Sequence, residues 1–406
     1  MPNVGCRLVI NDGNIVKKIC CIGPLDPGRP VNRNSVLFAG LAECGIELSF
    51  ISIMDIGTRS AARSNDPADA PHQRFWVRLL PKIVLENVRL FFRILRDIHL
   101  VRAADILLIP SYGNYCVLPV KIFALLFKKP IVLDAHGSLY FQRIVGVRDF
   151  AEETPYARFI RWVDRTGAIL VDRYMTLSHE YNRIISESFR LDPKKFITVY
   201  TGTLKKPESF PYDCPPDEAL KVDVIYWGSF KLFDGVENLI RAAAVLRDQG
   251  RGDIRFILSG AGSSSARLKA LRDELNLSNV EMVGWVKEEK LLAYIKRAKL
   301  AVGPVGRSLL CSIDFSNKVC EAAAFGKATI LVNSPSIREK FVHLESAILF
   351  SGAEPEELAK AILLAIGDDG LRSRVGLGAR RIYEEYLTPI AVARQFLRET
   401  RELVDK

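Results

Sequence analysis

Within Ser312–Val332, SIDFSNKVCEAAAFGKATILV, residue types and spacing suit the binding of an anion and a diol. Ser316-Asn317 is a helix-start signal, Gly326 a stop, and Ala328–Val332 a short apolar strand. A helix N-terminus offers free backbone N–H groups and a partial positive charge, which suit a phosphate. Lys318 and Glu321 are three residues apart and share one face just inside that end. A carboxylate there can accept hydrogen bonds from a vicinal diol such as a ribose, while the amides of Phe315–Lys318 hold a diphosphate. A surface helix with a solvated Lys–Glu pair is the plain alternative.

Other residues have chemistry in their types. Of five histidines, only His136, in DAHGS, follows the carboxyl end of an apolar run and precedes a glycine that lets backbone approach a ligand. His72, His99, His179 and His343 read as structural. Gly23 closes the first core strand, and Arg29 and Arg33 sit in or just after the loop GPLDPGRPVNRN, where a guanidinium can clamp phosphate or carboxylate. Gly260 and Gly262 in SGAG permit close backbone approach, with a tight turn as the alternative. No Asp-x-Asp occurs, no His/Cys/carboxylate cluster has metal-ligand spacing, and the eight cysteines include no C-x2-C pair. No metal and no disulfide framework are expected. With an N-terminus lacking the basic-then-apolar pattern of a signal peptide, the expected compartment is the cytoplasm.

The elements that must position these residues alternate in kind. At 406 residues the chain exceeds the usual growth of one core, so two domains are expected. Residues 6–10 and 15–22 flank Asn11–Asn14 as a hairpin pattern leading into KKICCIG; ELSFISIMD, ADILLIP, KKPIVLD, DRYMTLS and FITVYTG follow as strands, with helical patterns such as 35–45 and 155–168 between them. Residues 57–73 are polar and turn-rich, and Pro81 is placed to start a helix. Four prolines in 204–220 mark a linker. VDVIYW, IRFIL, VEMVG, LAVGP, ATILV and AILF then repeat the alternation, and Thr388-Pro389 launches a last helix to about Leu403. No G-x-G-x-x-G occurs, so no dinucleotide site is indicated.

The succession YWGSFKLFDGVENLI, IRFILSGAG, NVEMVGWV, LAVGPVG and SNKVCE resembles the donor-binding half of GT-B glycosyltransferases, in particular the retaining enzymes of family 4, the glycosyl transferases group 1. The order GPLDPGRPVNRN, DAHGSLY, DRTGAILVDRYMTLS and VYTGT extends the likeness over most of the chain. The resemblance implies an α/β GT-B fold, two Rossmann-like doubly wound domains facing one cleft. It places an acceptor-binding domain at 1–203, the linker at 204–220, a nucleotide-sugar domain at 221–387, and a helix at 388–406 returning to the first domain. It makes Glu321 the second Glu of the family's E-x7-E motif, His136 a histidine near the transferred sugar, and Gly284-Trp285 the edge of the nucleobase site. The first Glu would fall at Ile313, leaving the adjacent Asp314 to reach the donor sugar. Ser229 and Asp234 stand where the family usually supplies Arg and Lys to the donor phosphates, leaving Lys231 to substitute.

The activity so implied is retaining transfer of a hexosyl unit from a UDP- or GDP-linked sugar to a glycan or lipid-linked acceptor, without cofactor or metal, in polysaccharide biosynthesis. A catalytically silent binding subunit and a nucleotide-sugar epimerase are the alternatives. The net charge of +10 points to anionic partners, but the basic residues form no aromatic-interleaved patch, so nucleic acid is not expected. Residues 74–102 hold seven Lys/Arg against two acids, with Lys82, Glu86, Arg89, Arg93 and Arg96 as one polar stripe and Val84, Leu85, Phe91, Phe92 and Leu95 as an apolar face. Such a helix either packs on the first sheet with its arginines reaching outward, or lies on an anionic membrane as a peripheral anchor. The two are compatible if Phe75, Trp76 and the stripe edge stay exposed.

Overall fold

The computed structural model describes residues 16–25, 32–53, 74–136, 138–146, 151–205, 221–351 and 354–405. The hairpin expected around Asn11–Asn14, Arg29, the polar loop 57–73, the side chains of Phe75 and Trp76, and linker residues 206–220 lie outside that description.

Short apolar runs become strands, those inside each sheet buried on both faces, and such strands pair in parallel because helices cross over between them. The first sheet contains β1 (Lys18–Pro24), β2 (Glu47–Ile53), β3 (Ile106–Ile109), β4 (Ile131–Asp134), β5 (Arg173–Thr176) and β6 (Phe196–Thr198). Its order is β2-β1-β3-β4-β5-β6, with every pairing parallel. The second contains β7 (Val224–Trp227), β8 (Phe256–Ser259), β9 (Val280–Gly284), β10 (Leu300–Val302), β11 (Thr329–Val332) and β12 (Ile348–Phe350). It runs β12-β11-β10-β7-β8-β9, also wholly parallel. Chain order reverses at β1/β3 in one sheet and at β7/β10 in the other, and crevices for ligands open at the carboxyl ends of strands at such points. Among the described residues, all twelve strands coincide with runs read from the sequence.

The last helix, Pro389–Thr400, starts where Thr388 Oγ1 accepts from Ala391 N at 3.3 Å. It returns to the first domain and packs on the helix Asn32–Glu43 so closely that a Cβ on Gly40 would stand 1.8 Å from the Pro389 carbonyl oxygen. Val392 and Phe396 are buried with Val36, Leu37 and Val199. The domains also meet at the cleft. Ser178 Oγ donates to the Ile313 carbonyl at 2.7 Å, Thr201 Oγ1 to that of Phe315 at 3.1 Å, and Tyr200 OH to Glu339 at 2.9 Å.

One helix differs from its sequence reading. It spans Arg74–Arg96, so Pro81 lies inside rather than at its start. Pro81 is exposed, and the hydrogen bond it cannot donate is lost on the solvent side. Nor is the helix simply two-faced: Ile83, Leu90 and Ile94 are buried against the sheet, while Val84, Leu85, Val88, Phe92 and Leu95 are exposed. Phe91 is half-buried beside Phe123, with ring centroids 5.1 Å apart. Among the described residues no helix is long and apolar enough to cross a membrane.

Candidate functional site

On the second domain, the helix Asn317–Ala324 starts at Ser316 with no side-chain cap, and the Ser316 hydroxyl is buried without a partner. Phe315 is fully buried against Tyr200 and Phe341, whereas Asn317 is exposed. Glu321 is only 6% exposed. Its Oε2 accepts from the Trp227 indole N–H at 2.7 Å, and its Oε1 pairs with Lys205 Nζ at 3.1 Å. Burial works against charge on Lys205, but Glu321 and then Glu288 outweigh it and lift the ammonium above its ordinary value. Lys318 turns to the preceding residue of β7. Its Nζ donates to Tyr226 OH at 2.8 Å and meets Asp234 Oδ2 at 3.0 Å. Asp234 also accepts from Tyr226 OH at 2.8 Å. The two polar groups expected on one helix face are thus both used by consecutive residues at the carboxyl end of β7.

On the first domain, His136 follows β4 with φ +49°, and its Nδ1 is buried without a partner. Burial, then the Arg33 charge, lowers its pKa to about 4 against the opposing pull of Asp134, so the ring is neutral at physiological pH. Two buried carboxylates fix the loop that carries it. Asp134 Oδ1 accepts from His136 N at 3.0 Å and Oδ2 from Ser111 Oγ at 2.8 Å. Asp164 accepts from Tyr140 N and Asn114 Nδ2, each at 2.8 Å, and from Ser138 Oγ. Burial pushes Asp164 up to about 6 against these donors.

Arg33 is not a cleft residue. It is 1% exposed, its Nε lies 2.8 Å from Asp134 Oδ1, and it donates to the Val199 carbonyl at 2.8 Å. A guanidinium so enclosed and held by Asp134 and the Val199 carbonyl is not presented to a substrate; its effect on the site is to orient Asp134, which holds the His136 backbone.

Asp314 and Lys231 link the two halves. Burial, then the Asp234 charge, raises Asp314 to about 6, with Lys231 and Lys318 pulling the other way. The Lys231 charge also lowers the His136 pKa. The exposed Lys231 ammonium thus acts electrostatically on both the first-domain histidine and the second-domain carboxyl. Lys231 Nζ lies 5.2 Å from the centre of the Phe233 ring. Ile313, where the family motif has its first Glu, is fully buried.

The glycines divide by use. At Gly260, with φ +139°, a Cβ would stand 1.8 Å from the Gly228 carbonyl oxygen, and one at Gly262 would stand 2.9 Å from Phe230 N. Both let the loop after β8 lie on the loop after β7, so their close approach is to protein backbone. A Cβ at Gly23 would meet Pro110 at 3.1 Å, whereas Gly284, with φ +68°, has nothing within 4 Å. Trp285 is 66% exposed.

The sequence reading missed Lys205, Tyr226, Trp227, Asp134 and Asp164 as members of this arrangement. A signal existed for Asp164: Tyr156, Ile160, Asp164 and Ala168 recur every four residues, which puts a carboxyl on the buried stripe of its helix.

Two parallel sheets meeting at the carboxyl ends of their strands, with the last helix returning to the first domain, are the GT-B fold of glycosyltransferases. Residues 218–382 match the model of the family Glycosyl transferases group 1. Over 265 residues the chain is 24% identical to the uncharacterized glycosyltransferase MJ1069 of Methanocaldococcus jannaschii, a match spanning 64% of each protein. Among solved structures, Anabaena HepE in complex with UDP is similar at a TM-score of 0.65 and 14% identity, over 95% of this chain and 100% of that one. Sucrose-phosphate synthase from Thermosynechococcus elongatus is similar at a TM-score of 0.66 and 17% identity, over 96% and 99%.

Proposed function

We propose that the protein transfers a hexosyl unit from a nucleoside-diphosphate sugar, UDP- or GDP-linked, to a hydroxyl of a glycan or lipid-linked acceptor, with retained anomeric configuration. The observation that carries this reading is the gathering of ligand-seeking groups at the facing strand ends. His136 Nδ1 and Ser316 Oγ are buried without partners, and Asp314, Lys231 and Lys318 share the same electrostatic space. A buried polar atom left unpaired costs about 1–3 kcal/mol, a cost a polar ligand would remove. That an Anabaena protein of this fold was solved with UDP supports a nucleoside diphosphate as the bound group.

In this reading the ribose diol donates hydrogen bonds to the Glu321 carboxylate, displacing Lys205. The amides at Phe315–Lys318 hold the diphosphate, with Lys231 and Lys318 offsetting its charge without a metal. Neutral His136 meets a hydroxyl of the transferred sugar, Asp314 lies toward the reacting carbon, and Trp285 edges the base with Gly284. The enzyme is placed in the cytoplasm, with peripheral contact to the membrane that presents a lipid-linked acceptor. A thermal-shift panel of UDP, GDP, ADP and their sugars tests the donor. One nucleotide at a hundredfold its Kd should stabilise the protein by ~2.7 kcal/mol, and a panel with no shift would overturn the proposal.

A second reading has its own support. Asp234 and Ser229 stand where the family usually has cations, and Asp234 already holds Lys318. A silent homologue acting as a binding subunit would bind the nucleotide and never release it from a donor sugar.

A further inference from the structure

A second helix enlarges the exposed apolar surface of Arg74–Arg96. Val117–Phe127 buries Val117, Val120, Phe123 and Ala124, and exposes Leu118, Ile122, Leu125 and Leu126 by 55–68%. The exposed four recur at i, i+4, i+7 and i+8, which makes one unbroken stripe. The helices touch at Phe91 and Phe123. At 3.6 residues per turn, the exposed apolar arc of Arg74–Arg96 begins beside Phe91 and covers about 100°. It is followed, moving away from that seam, by Arg96, Arg89, Lys82 and Arg93, all exposed. The two apolar arcs therefore adjoin across the seam, with cations along the outer margin and Lys121, Lys128 and Lys129 on the second helix and at its end.

Single exposed apolar residues are ordinary, but nine large ones on adjoining arcs of two helices mark an interaction surface. Charge identifies the partner. Residues 81–129 contain eight Lys/Arg and three Asp/Glu, and Glu86 and Asp97 are each paired with a neighbouring arginine. Two copies meeting face to face would bring these cations together, whereas an anionic bilayer offers hydrocarbon to the arcs and phosphate to the rim.

We infer that the face built by Arg74–Arg96 and Val117–Phe127 docks on an anionic lipid bilayer, with its apolar arcs at the acyl boundary and its basic margin among the headgroups. This deepens the peripheral-membrane part of the function proposed above and requires neither donor binding nor transfer.

The test is co-sedimentation of the full chain with phosphatidylglycerol/phosphatidylcholine vesicles and with pure phosphatidylcholine vesicles, at low and high salt, without nucleotide. Binding should require the anionic lipid and weaken with salt. Ile122→Ser plus Leu125→Ser, and separately Lys82→Glu plus Arg89→Glu, should each lower the partition coefficient at least about tenfold. These positions are exposed or at the margin, so circular dichroism should find both variants folded. Absent binding, equal binding to uncharged vesicles, or full binding by the serine variant would each overturn the inference. So would a solution dimer that the serine variant dissociates, since the face would then be a self-interface. Nucleotide affinity measured on the same preparations reports separately on the donor site.

Discussion

Replacing Glu321 probes the ribose assignment and the architecture beneath it together. Its Oε2 receives the Trp227 indole N–H at 2.7 Å and its Oε1 meets Lys205 Nζ at 3.1 Å, in a side chain almost fully buried. Glu321→Ala strands the indole donor, a loss of about 1–3 kcal/mol in stability. Among the described residues, Lys205 then keeps Glu288, at 3.5 Å. For the nucleotide, a hydrogen bond to a charged acceptor contributes roughly 1.5–3 kcal/mol. The wild-type ribose must first displace Lys205, which offsets part of that gain, so the lower part of the range applies: about 1.5–2 kcal/mol, or a roughly 10- to 30-fold rise in Kd. Glu321→Gln keeps a neutral acceptor and should fall between wild type and Ala. Titration calorimetry with the nucleoside diphosphate from the thermal-shift panel reads the affinity, and urea unfolding monitored by tryptophan fluorescence reads the stability. Unchanged affinity in a folded Glu321→Ala protein would refute the assignment of this carboxylate to the ribose.

Three further outcomes follow from the same geometry. His136, whose pKa is lowered to about 4 by burial and then Arg33, should show no ring titration between roughly pH 5.5 and 8 by NMR; a midpoint near the ordinary 6.5 would contradict its burial. Because its folded value is depressed, the stability it contributes is present above about 6.5 and is lost as pH falls toward 4. Arg33→Ala breaks a buried ion pair and leaves Asp134 uncompensated, which should cost about 3–5 kcal/mol in urea unfolding, against no more than about 1 kcal/mol if the pair were exposed. Gly260→Ala drives a Cβ into the Gly228 carbonyl and should destabilise several-fold more than Gly284→Ala, which has open space and only the left-handed backbone penalty of about 1–2 kcal/mol; equal losses in thermal melts would show that the two loops do not pack as described.

The fold was legible because parallel strands buried on both faces leave continuous apolar runs, such as CCI in β1 and VIYW in β7, and because Thr388-Pro389 is a strong local helix start. The candidate site was legible only where one segment carries its own chemistry. SNKVCE names Ser316, Lys318 and Glu321, and DAHGS names His136. What these side chains touch depends on crossings between segments far apart in sequence: Trp227 reaches Glu321 across 94 residues, and Arg33 reaches Asp134 across 101. A loop arginine and a buried arginine look alike in sequence, since only the partner on another strand distinguishes them. Pro81 misled for a related reason: a proline that can open a helix is also tolerated inside one when its missing hydrogen bond faces solvent.

Release of nucleoside diphosphate from a donor panel by the purified protein decides whether the chain transfers from a nucleoside-diphosphate sugar. Without acceptor, one donor should be hydrolysed slowly. His136→Ala should abolish that release while leaving the free nucleotide's Kd nearly unchanged, since the histidine is assigned to the sugar and not to the nucleotide. Tight nucleotide binding with no release from any donor, with and without glycan acceptors, would contradict transfer and identify the chain as a binding subunit.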